Sequence, residues 1–164
     1  MLLLISDANI LIDLEDGGII ALLFRLPWKI ATPDVLFAEE MAAQHPDLPL
    51  LGLALGELGE EAMGHVQRLS QTYPGPSRYD CMALALAIQE ACPLLSGDRA
   101  LRQAAEREGV EVHGTVWVVE QMLAQGLLDA DAARRAFTAM ANAARRLPWA
   151  EAERMIKRTC EPME

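Results

Sequence analysis

The sequence predicts an α/β fold, a three-layer α/β/α sandwich with a central parallel sheet, followed by additional C-terminal helices. Short apolar runs alternate with longer segments of helical spacing from residue 2 to residue 113. This alternation is typical of parallel strands joined by helices that cover both faces of the sheet. After Gly114 only helical patterns remain. The 164 residues are 52% hydrophobic and 23% charged, which indicates a folded chain rather than a disordered one.

The first half of the chain is predicted to open with a strand at residues 2–6, because this run is apolar throughout. The helical pattern from Ile10 to Phe24 is interrupted at Gly17-Gly18, so two short helices are expected there. The next predicted elements are a strand at Trp28–Ala31, a helix at Val35–Gln44 capped by Asp34, a strand-like segment at Leu50–Leu55 and a helix at Gly59–Tyr73.

The second half begins after a stop signal at Pro74-Gly75-Pro76. Ser77 is expected to cap a helix that runs to Ala91. The remaining predicted elements are a strand at Pro93–Ser96, a helix at Arg99–Glu108, a strand at Val110–His113, and helices at Val116–Gln125, Asp129–Arg146 and Pro148–Arg158.

Charge and cysteine content exclude some kinds of site. Fourteen basic residues stand against 24 acidic ones, which gives a net charge of −10. We therefore expect no broad basic surface of the kind that binds nucleic acid by releasing counterions. The three cysteines have no C-x-x-C spacing, which argues against a zinc site or a disulfide framework and favours a cytoplasmic location. No apolar run approaches the ~20 residues that span a bilayer, so we expect no membrane association.

Three acidic residues lie where a parallel sheet presents its ligands. Asp7 directly follows the first predicted strand, and Asp98 follows the strand at residues 93–96 through Gly97. Asp80 lies three residues after Ser77, at the start of the helix that leads into that strand. Each of these residues, taken alone, is equally typical of a helix cap. Because the carboxyl ends of parallel strands meet at one edge, we also consider them as a single site.

The fourth acidic position is either Glu40 or Glu39. At 100° per residue, Glu40 shares a helix face with Leu36, Phe37 and Met41, whereas Glu39 points away. A carboxylate on an apolar face is costly to bury unless it is paired or bound to metal. We therefore predict that Glu40 faces inward, with Glu39 as the alternate.

Four carboxylates at one edge would repel one another and raise their own pKa values unless cations compensate. Oxygen ligands without a His or Cys cluster are typical of a hard ion, Mg²⁺ or Mn²⁺. The sequence therefore predicts a divalent-metal site.

These acids lie in segments with a fixed order along the chain. The segments are Ser6-Asp7-Ala8-Asn9, residues 33–41 (PDVLFAEEM), Ser77-x-x-Asp80 before the Ala/Leu run at residues 83–87, residues 94–102 (LLSGDRALR) and residues 112–117 (VHGTVW). In this order and placement they resemble the PIN-domain nucleases, whose members include the toxin ribonucleases of VapBC pairs. The resemblance covers residues 1–126. It leaves residues 127–164 as a helical extension, which we expect to pack on the same domain.

The resemblance implies metal-dependent hydrolysis of RNA phosphodiester bonds. Asp7, Glu40, Asp80 and Asp98 match the family's catalytic and metal-binding acids, and Asn9 and Ser96 match small polar positions beside them. Bound Mg²⁺ or Mn²⁺ would let an acidic protein meet RNA. Such toxins are held by an antitoxin, so an antitoxin partner and a homodimer are considered. The nearest basic residues, Arg78, Arg99 and Arg102, either contact phosphates or form internal ion pairs such as Asp98 with Arg102.

Two other enzyme classes do not suit the sequence. A haloacid-dehalogenase-type enzyme needs a second Asp two residues after Asp7, where Asn9 stands. A phosphorylation receiver needs an adjacent acidic pair and a nearby Lys, and the only lysines are Lys29 and Lys157. A PIN-like module that binds RNA or protein without cutting remains open. The pairs Arg134-Arg135 and Arg145-Arg146 of the extension are interpreted as a solvated face, a dimer surface or a partner site.

Overall fold

Five parallel strands form the central sheet of the computed structural model, which describes residues 2–160. Their order across the sheet is β3-β2-β1-β4-β5. The strands are β1 (Leu2–Ser6), β2 (Trp28–Pro33), β3 (Ala54–Gly56), β4 (Leu94–Leu95) and β5 (Val112–His113). The predicted α/β sandwich with a parallel sheet is confirmed. Residue 1 and residues 161–164, which belong to the predicted domain limits, lie outside the described part of the chain.

Ten α-helices connect or follow the strands in the described residues. They are α1 (Ala8–Asp16), α2 (Ile20–Leu23), α3 (Asp34–Leu36), α4 (Leu48–Leu51), α5 (Glu60–Thr72), α6 (Arg78–Glu90), α7 (Arg99–Arg107), α8 (Thr115–Ala124), α9 (Ala130–Asn142) and α10 (Trp149–Cys160). A π-helical turn at Phe37–Met41 continues α3. Among residues 2–160 no helix has the length and apolar character needed to cross a bilayer.

The sheet order determines where a ligand can reach the chain. From β1 the strands run outward through β2 to β3, and the chain then returns to the other side of β1 to form β4 and β5. The order therefore reverses between β1 and β4, and loops that leave these two strands diverge. A crevice outside the carboxyl ends at such a reversal is the usual ligand site of an open parallel sheet. Asp7 and Asp98 follow these two strands.

Helix α6 forms the centre of the core. Residues 81–87 are all buried, and the helix packs on β1, β2 and β4 of the sheet and on α3, α5 and α7. Its alternating Ala and Leu residues suit this position, because small side chains allow a helix to lie close to several neighbours. Within the C-terminal segment, α9 packs on α1, and α10 packs on α8 and α9.

Two predicted elements differ from the structure. The strand-like segment at Leu50–Leu55 divides into α4 and the short strand β3, since Pro49 at the start of α4 favours a helical turn. The predicted helix at Val35–Gln44 is a single α-turn followed by the π-helical turn, in which the Ala42 N–H bonds to the Phe37 carbonyl at 2.8 Å. The break at Gly17-Gly18 and the Ser77 cap are confirmed.

A partly exposed cluster at the end of α5, formed by the exposed Arg68 and the half-buried Tyr73 and Glu108, predicts a specific pH dependence. Glu108 accepts hydrogen bonds of 2.6 Å from both Arg68 and the Tyr73 hydroxyl, and the first of these, then the second, lowers the pKa of Glu108. Because the pKa of Glu108 is lower in the folded chain than its unfolded value of 4.5, the ionised Glu108 carboxylate stabilises the fold above pH 4.5. This stability is lost as pH falls through the folded pKa. Glu108→Gln should therefore lower the melting temperature at pH 7 and approach wild type at pH 3. Exposed ion pairs contribute at most about 1 kcal/mol, so the expected difference in melting temperature is small. A difference between the two proteins that does not change with pH would contradict this prediction.

Candidate active site

Asp7 is the most buried of the four predicted acids, with no solvent exposure. Its Oδ1 accepts a 3.0 Å hydrogen bond from the Ile10 N–H and so caps α1. Its Oδ2 is also buried and has no hydrogen-bond partner within residues 2–160. Burial raises the pKa of Asp7 to about 7, against the opposing effects of the Ser96 hydroxyl and the Ile10 N–H. A cation beside this oxygen would therefore lower the free energy of the folded state.

Asp80 interacts electrostatically with each of the other three predicted acids. It forms a capping box with Ser77, in which the Ser77 N–H donates to Asp80 Oδ2 at 2.9 Å and the Asp80 N–H donates to Ser77 Oγ at 3.1 Å. Burial, and to a smaller extent the charge of Asp98, raises the pKa of Asp80. Asp80 in turn contributes to the raised pKa of Asp7 and of Glu40. The structure thus places Asp7, Glu40 and Asp98 each within electrostatic reach of Asp80.

Asp98 is connected to Asp7 through Ser96. Its Oδ1 accepts a 2.8 Å hydrogen bond from the Leu101 N–H and caps α7. Its own N–H donates to the Ser96 hydroxyl at 3.1 Å, and Ser96 is fully buried beside Asp7. Ser96 therefore fixes the loop after β4 against the end of β1. The capping interpretation of Asp98 is confirmed, and its assignment to a metal site stays a prediction.

The prediction that Glu40 faces inward is wrong. Glu40 and Glu39 are both exposed, while Leu36, Phe37 and Met41 are buried. The prediction assumed a regular α-helix, and the π-helical turn changes the angle between successive side chains. Glu40 nonetheless lies within electrostatic reach of Asp80, because desolvation first and the charge of Asp80 second raise the pKa of Glu40.

The donor set fits a hard divalent cation that keeps much of its water. Asp7, Asp80 and Asp98 each use one oxygen to accept a backbone N–H and have a second oxygen. In the described part of the chain no three His, Cys, Asp or Glu side chains are grouped closely enough to hold one ion. Mg²⁺ is commonly bound through one or two carboxylates and several waters, so a closed cage is not required. The unpartnered Oδ2 of Asp7 is the observation that favours such an ion.

Comparison with known proteins decides the family. A family model described as "PIN domain" matches residues 3–161. This chain belongs to the PIN-domain family. Among solved structures it is similar to a chain in the crystal structure of VapBC2 from Rickettsia felis bound to a DNA fragment from their promoter. The identity is 11% and the TM-score 0.51, with 69% of this chain and 98% of that chain covered. No curated protein matches.

The three arginines predicted to lie near the acids of this PIN domain form no ion pairs with acidic side chains within residues 2–160. Arg78 and Arg99 are exposed and form no ion pair in residues 2–160. Asp98 and Arg102, which the alternative interpretation joins, form no ion pair in the structure. Arg102 instead donates to the Ser96 carbonyl oxygen at 3.3 Å, which places its guanidinium beside the candidate site.

Sequence reasoning missed a partly buried ion pair at the edge of the PIN-domain site. Asp13, on α1, is 6% exposed and receives a 2.6 Å hydrogen bond from Arg145 Nε and a 2.8 Å one from the Thr115 hydroxyl. Arg145 Nη2 also reaches Asn9, at 3.4 Å from its carbonyl and 3.5 Å from its side-chain oxygen. The available signal was an Asp on the apolar face of α1, one helical turn after Asn9. Its partner is 132 residues away in sequence.

Proposed function

We propose that this PIN-domain chain is a Mg²⁺- or Mn²⁺-dependent endoribonuclease that hydrolyses RNA phosphodiester bonds. The observation that carries the proposal is the Asp7 carboxylate, which is fully buried at the reversal of the sheet and keeps one oxygen without a partner. The electrostatic connection of Asp7, Glu40, Asp80 and Asp98 through Asp80 supports it. Membership of the PIN-domain family supports a nuclease in general.

The residues have separate roles in this proposal. Asp7 Oδ2 would hold the ion, and Asp80, Asp98 and Glu40 would hold its water ligands or a second ion. The chemistry supplied by a bound ion would be activation of a water and stabilisation of charge on the scissile phosphate. Ser96 orients the loop that carries Asp98, and Asn9, whose side-chain oxygen accepts from Arg145 Nη2 at 3.5 Å, lines the same cavity as Asp98. Arg78, Arg99 and Arg102 supply cations for the neighbouring phosphates.

We further propose that the protein acts in the cytoplasm as the toxin of a toxin–antitoxin pair. The similar structure is that of a VapBC2 complex, and its likeness supports the fold on which this role is based. An antitoxin partner and a homodimer both belong to this proposal. Co-expression with a neighbouring small open reading frame that relieves growth arrest would support it. Absence of any growth effect on induction of this chain alone would contradict the toxin role.

The ribonuclease activity is tested with one conservative substitution. Asp7→Asn keeps the Oδ1 acceptor that caps α1 and removes the charge that a cation needs. We expect cleavage of labelled single-stranded RNA in Mn²⁺ to slow at least about 100-fold, equivalent to ~2.7 kcal/mol of barrier. Asp129→Asn is the matched control, because Asp129 also caps a helix, through a 2.8 Å bond from the Ala132 N–H, and is exposed outside the site.

Two outcomes would contradict the proposal. Equal cleavage by wild type and Asp7→Asn would assign the activity to a contaminant. No cleavage of a mixed RNA pool by wild type in either Mg²⁺ or Mn²⁺ would favour the non-catalytic module. Retained activity in Asp129→Asn is required for the loss in Asp7→Asn to be attributed to the site.

Metal binding is tested separately through stability. An ion that binds only the folded chain stabilises it by about 2.7 kcal/mol at 100 times its Kd. Mn²⁺ should therefore raise the melting temperature of wild type, and Asp98→Asn, which keeps the Oδ1 cap of α7, should reduce that rise. Calorimetry with and without EDTA measures both. An equal rise in wild type and Asp98→Asn would exclude Asp98 from the metal site.

A further inference from the structure

Arg146 lies in the linker between α9 and α10 and lines two adjoining cavities. The smaller one, of about 320 Å³, also contains Asn9 and Asp98, so it opens on the candidate active site. The larger one is a cleft of about 650 Å³ whose walls include Arg99 and Arg102. Because Gly97 and Arg146 belong to both, the cleft continues directly from the acidic site.

The position of Arg146 is fixed by its two preceding residues. Ala144 has a φ of 63°, a left-handed conformation that costs a non-glycine residue free energy. The Arg145 N–H bonds back to the Met140 carbonyl at 3.0 Å, which closes the end of α9. The Arg145 side chain then holds Asp13 at 2.6 Å. Arg145 is thus a positioning residue, and the exposed Arg146 is held at the wall of the cleft.

The cations of the cleft outnumber its unpaired acids. Arg99, Arg102 and Arg146 form no ion pair within residues 2–160. The acids of the cleft are Asp13, Glu106, Glu120 and Glu151. Two of them are neutralised, since Arg145 pairs with Asp13 and Arg158 pairs with Glu120 at 3.3 Å. Arg99, Arg102 and Arg146 therefore stand against two acids without an ion pair in that part of the chain, Glu106 and Glu151, which leaves a small local excess of positive charge on a chain with a net charge of −10.

Aromatic rings form part of the same cleft. His113 stacks on Trp117 with ring centroids 4.0 Å apart and an interplanar angle of 14°, and both residues line the cleft. Both side chains are half-buried, and Trp117 also packs on Trp28 with ring centroids 5.5 Å apart, so the accessible ring surface lies outside these two contacts. Arginines beside partly accessible aromatic rings suit single-stranded nucleic acid, because phosphates can meet arginine while an unpaired base packs against a ring.

We infer that this cleft holds the single-stranded RNA next to the scissile bond, and that Arg146 contacts a phosphate there. The inference rests on the proposed function and extends it to the C-terminal segment. Arg145-Arg146 has two separate tasks: the first residue anchors the linker and the second binds substrate. The sequence pattern had left this pair open between a solvated face, a dimer surface and a partner site.

The experiment compares Arg146→Met with Arg135→Met. Arg135 is an exposed arginine of α9 that lines neither cavity, so its replacement makes the same change in net charge. Binding of a labelled single-stranded RNA to each variant, made in the Asp7→Asn background to prevent cleavage, is measured by anisotropy at several salt concentrations. We expect Arg146→Met to raise Kd about tenfold and to reduce the slope of log K against log salt by about 0.7. In the cleaving enzyme the loss should appear in KM rather than in kcat.

The outcomes separate this inference from the proposed function. Wild-type cleavage of RNA with equal Kd and equal salt slope in Arg146→Met and Arg135→Met would overturn the inference and leave the nuclease proposal standing. Equal or tighter binding of a duplex of the same length would overturn the single-strand assignment. Failure of the wild-type chain to bind or cleave any RNA would overturn both.

Discussion

In the absence of divalent metal, Asp7→Asn is expected to be more stable than the wild-type protein at neutral pH. The pKa of Asp7 is about 7 in the folded chain instead of 3.8, because burial disfavours the charged form. Between these two values the folded state keeps a proton that the unfolded state has released, so wild-type stability falls as pH rises. Each pKa unit corresponds to about 1.4 kcal/mol. Above pH 7 the free energy of unfolding of Asp7→Asn should therefore exceed that of wild type by at most about 4 kcal/mol.

The pH dependence distinguishes this effect from a general gain in stability. Below pH 3.8 the carboxyl is neutral in both states, so the advantage of Asp7→Asn should vanish there. The measurement is denaturant unfolding in EDTA from pH 3 to pH 8. Asp129→Asn, at an exposed helix cap, should stay within about 0.5 kcal/mol of wild type throughout. An Asp7→Asn protein that is less stable than wild type at pH 8 in EDTA would contradict the burial argument.

Added Mn²⁺ should reverse the order of the two proteins. A cation beside Oδ2 compensates the Asp7 charge in wild type, whereas the Asn side chain gains little from it. The residue that makes the apo protein less stable is therefore the one that the proposed activity requires. This opposition between stability and function is common at sites that concentrate charge.

Arg145→Met is expected to lower the free energy of unfolding by about 3 kcal/mol. The substitution leaves the Asp13 carboxylate, 6% exposed, without its cation, and removing one partner of a buried pair is strongly destabilising. For a chain of this size that corresponds to a fall in melting temperature of about 6–12 °C. The double variant Asp13→Asn with Arg145→Met should recover most of the loss, because no charge remains buried and Asn can still accept from Thr115.

The control for this cycle is Arg158→Met. Arg158 pairs with Glu120 at 3.3 Å, but its side chain is 66% exposed, so its removal should cost less than about 1 kcal/mol. Thermal unfolding of the single and double variants gives the coupling energy directly. A double variant as unstable as Arg145→Met alone would show that Arg145 contributes through packing and not through the charge of Asp13.

Local patterns predicted most of the elements. The apolar run of β1 needs burial on both faces, and the Ser77 capping box satisfies free N–H groups within three residues, so both are visible in the sequence. The structure has both elements, and Asp7 and Asp98 follow the carboxyl ends of the neighbouring strands β1 and β4. The division of the domain at residue 126 stays a prediction, as does the assignment of the four acids to one metal site.

Other features could not be read from local patterns. The exposure of Glu40 depends on the π-helical turn at residues 37–41, which the 100° spacing of an α-helix does not describe. Whether residues 48–51 form a helix or a strand depends on Pro49, because the apolar run around it is compatible with either. In both cases the sequence pattern was compatible with more than one backbone conformation.

By itself the sequence determined the parallel α/β architecture, the helix caps and the acids that follow its strands, because each depends on residues a few positions apart. Only the tertiary structure decided that Arg145 neutralises Asp13, that Oδ2 of Asp7 has no partner, and that Arg146 lines a cleft beside Asp98. These features join residues up to 132 positions apart. Burial and pairing are properties of what surrounds a side chain in space, and the chain acquires those surroundings only when its C-terminal helices pack against the sheet domain.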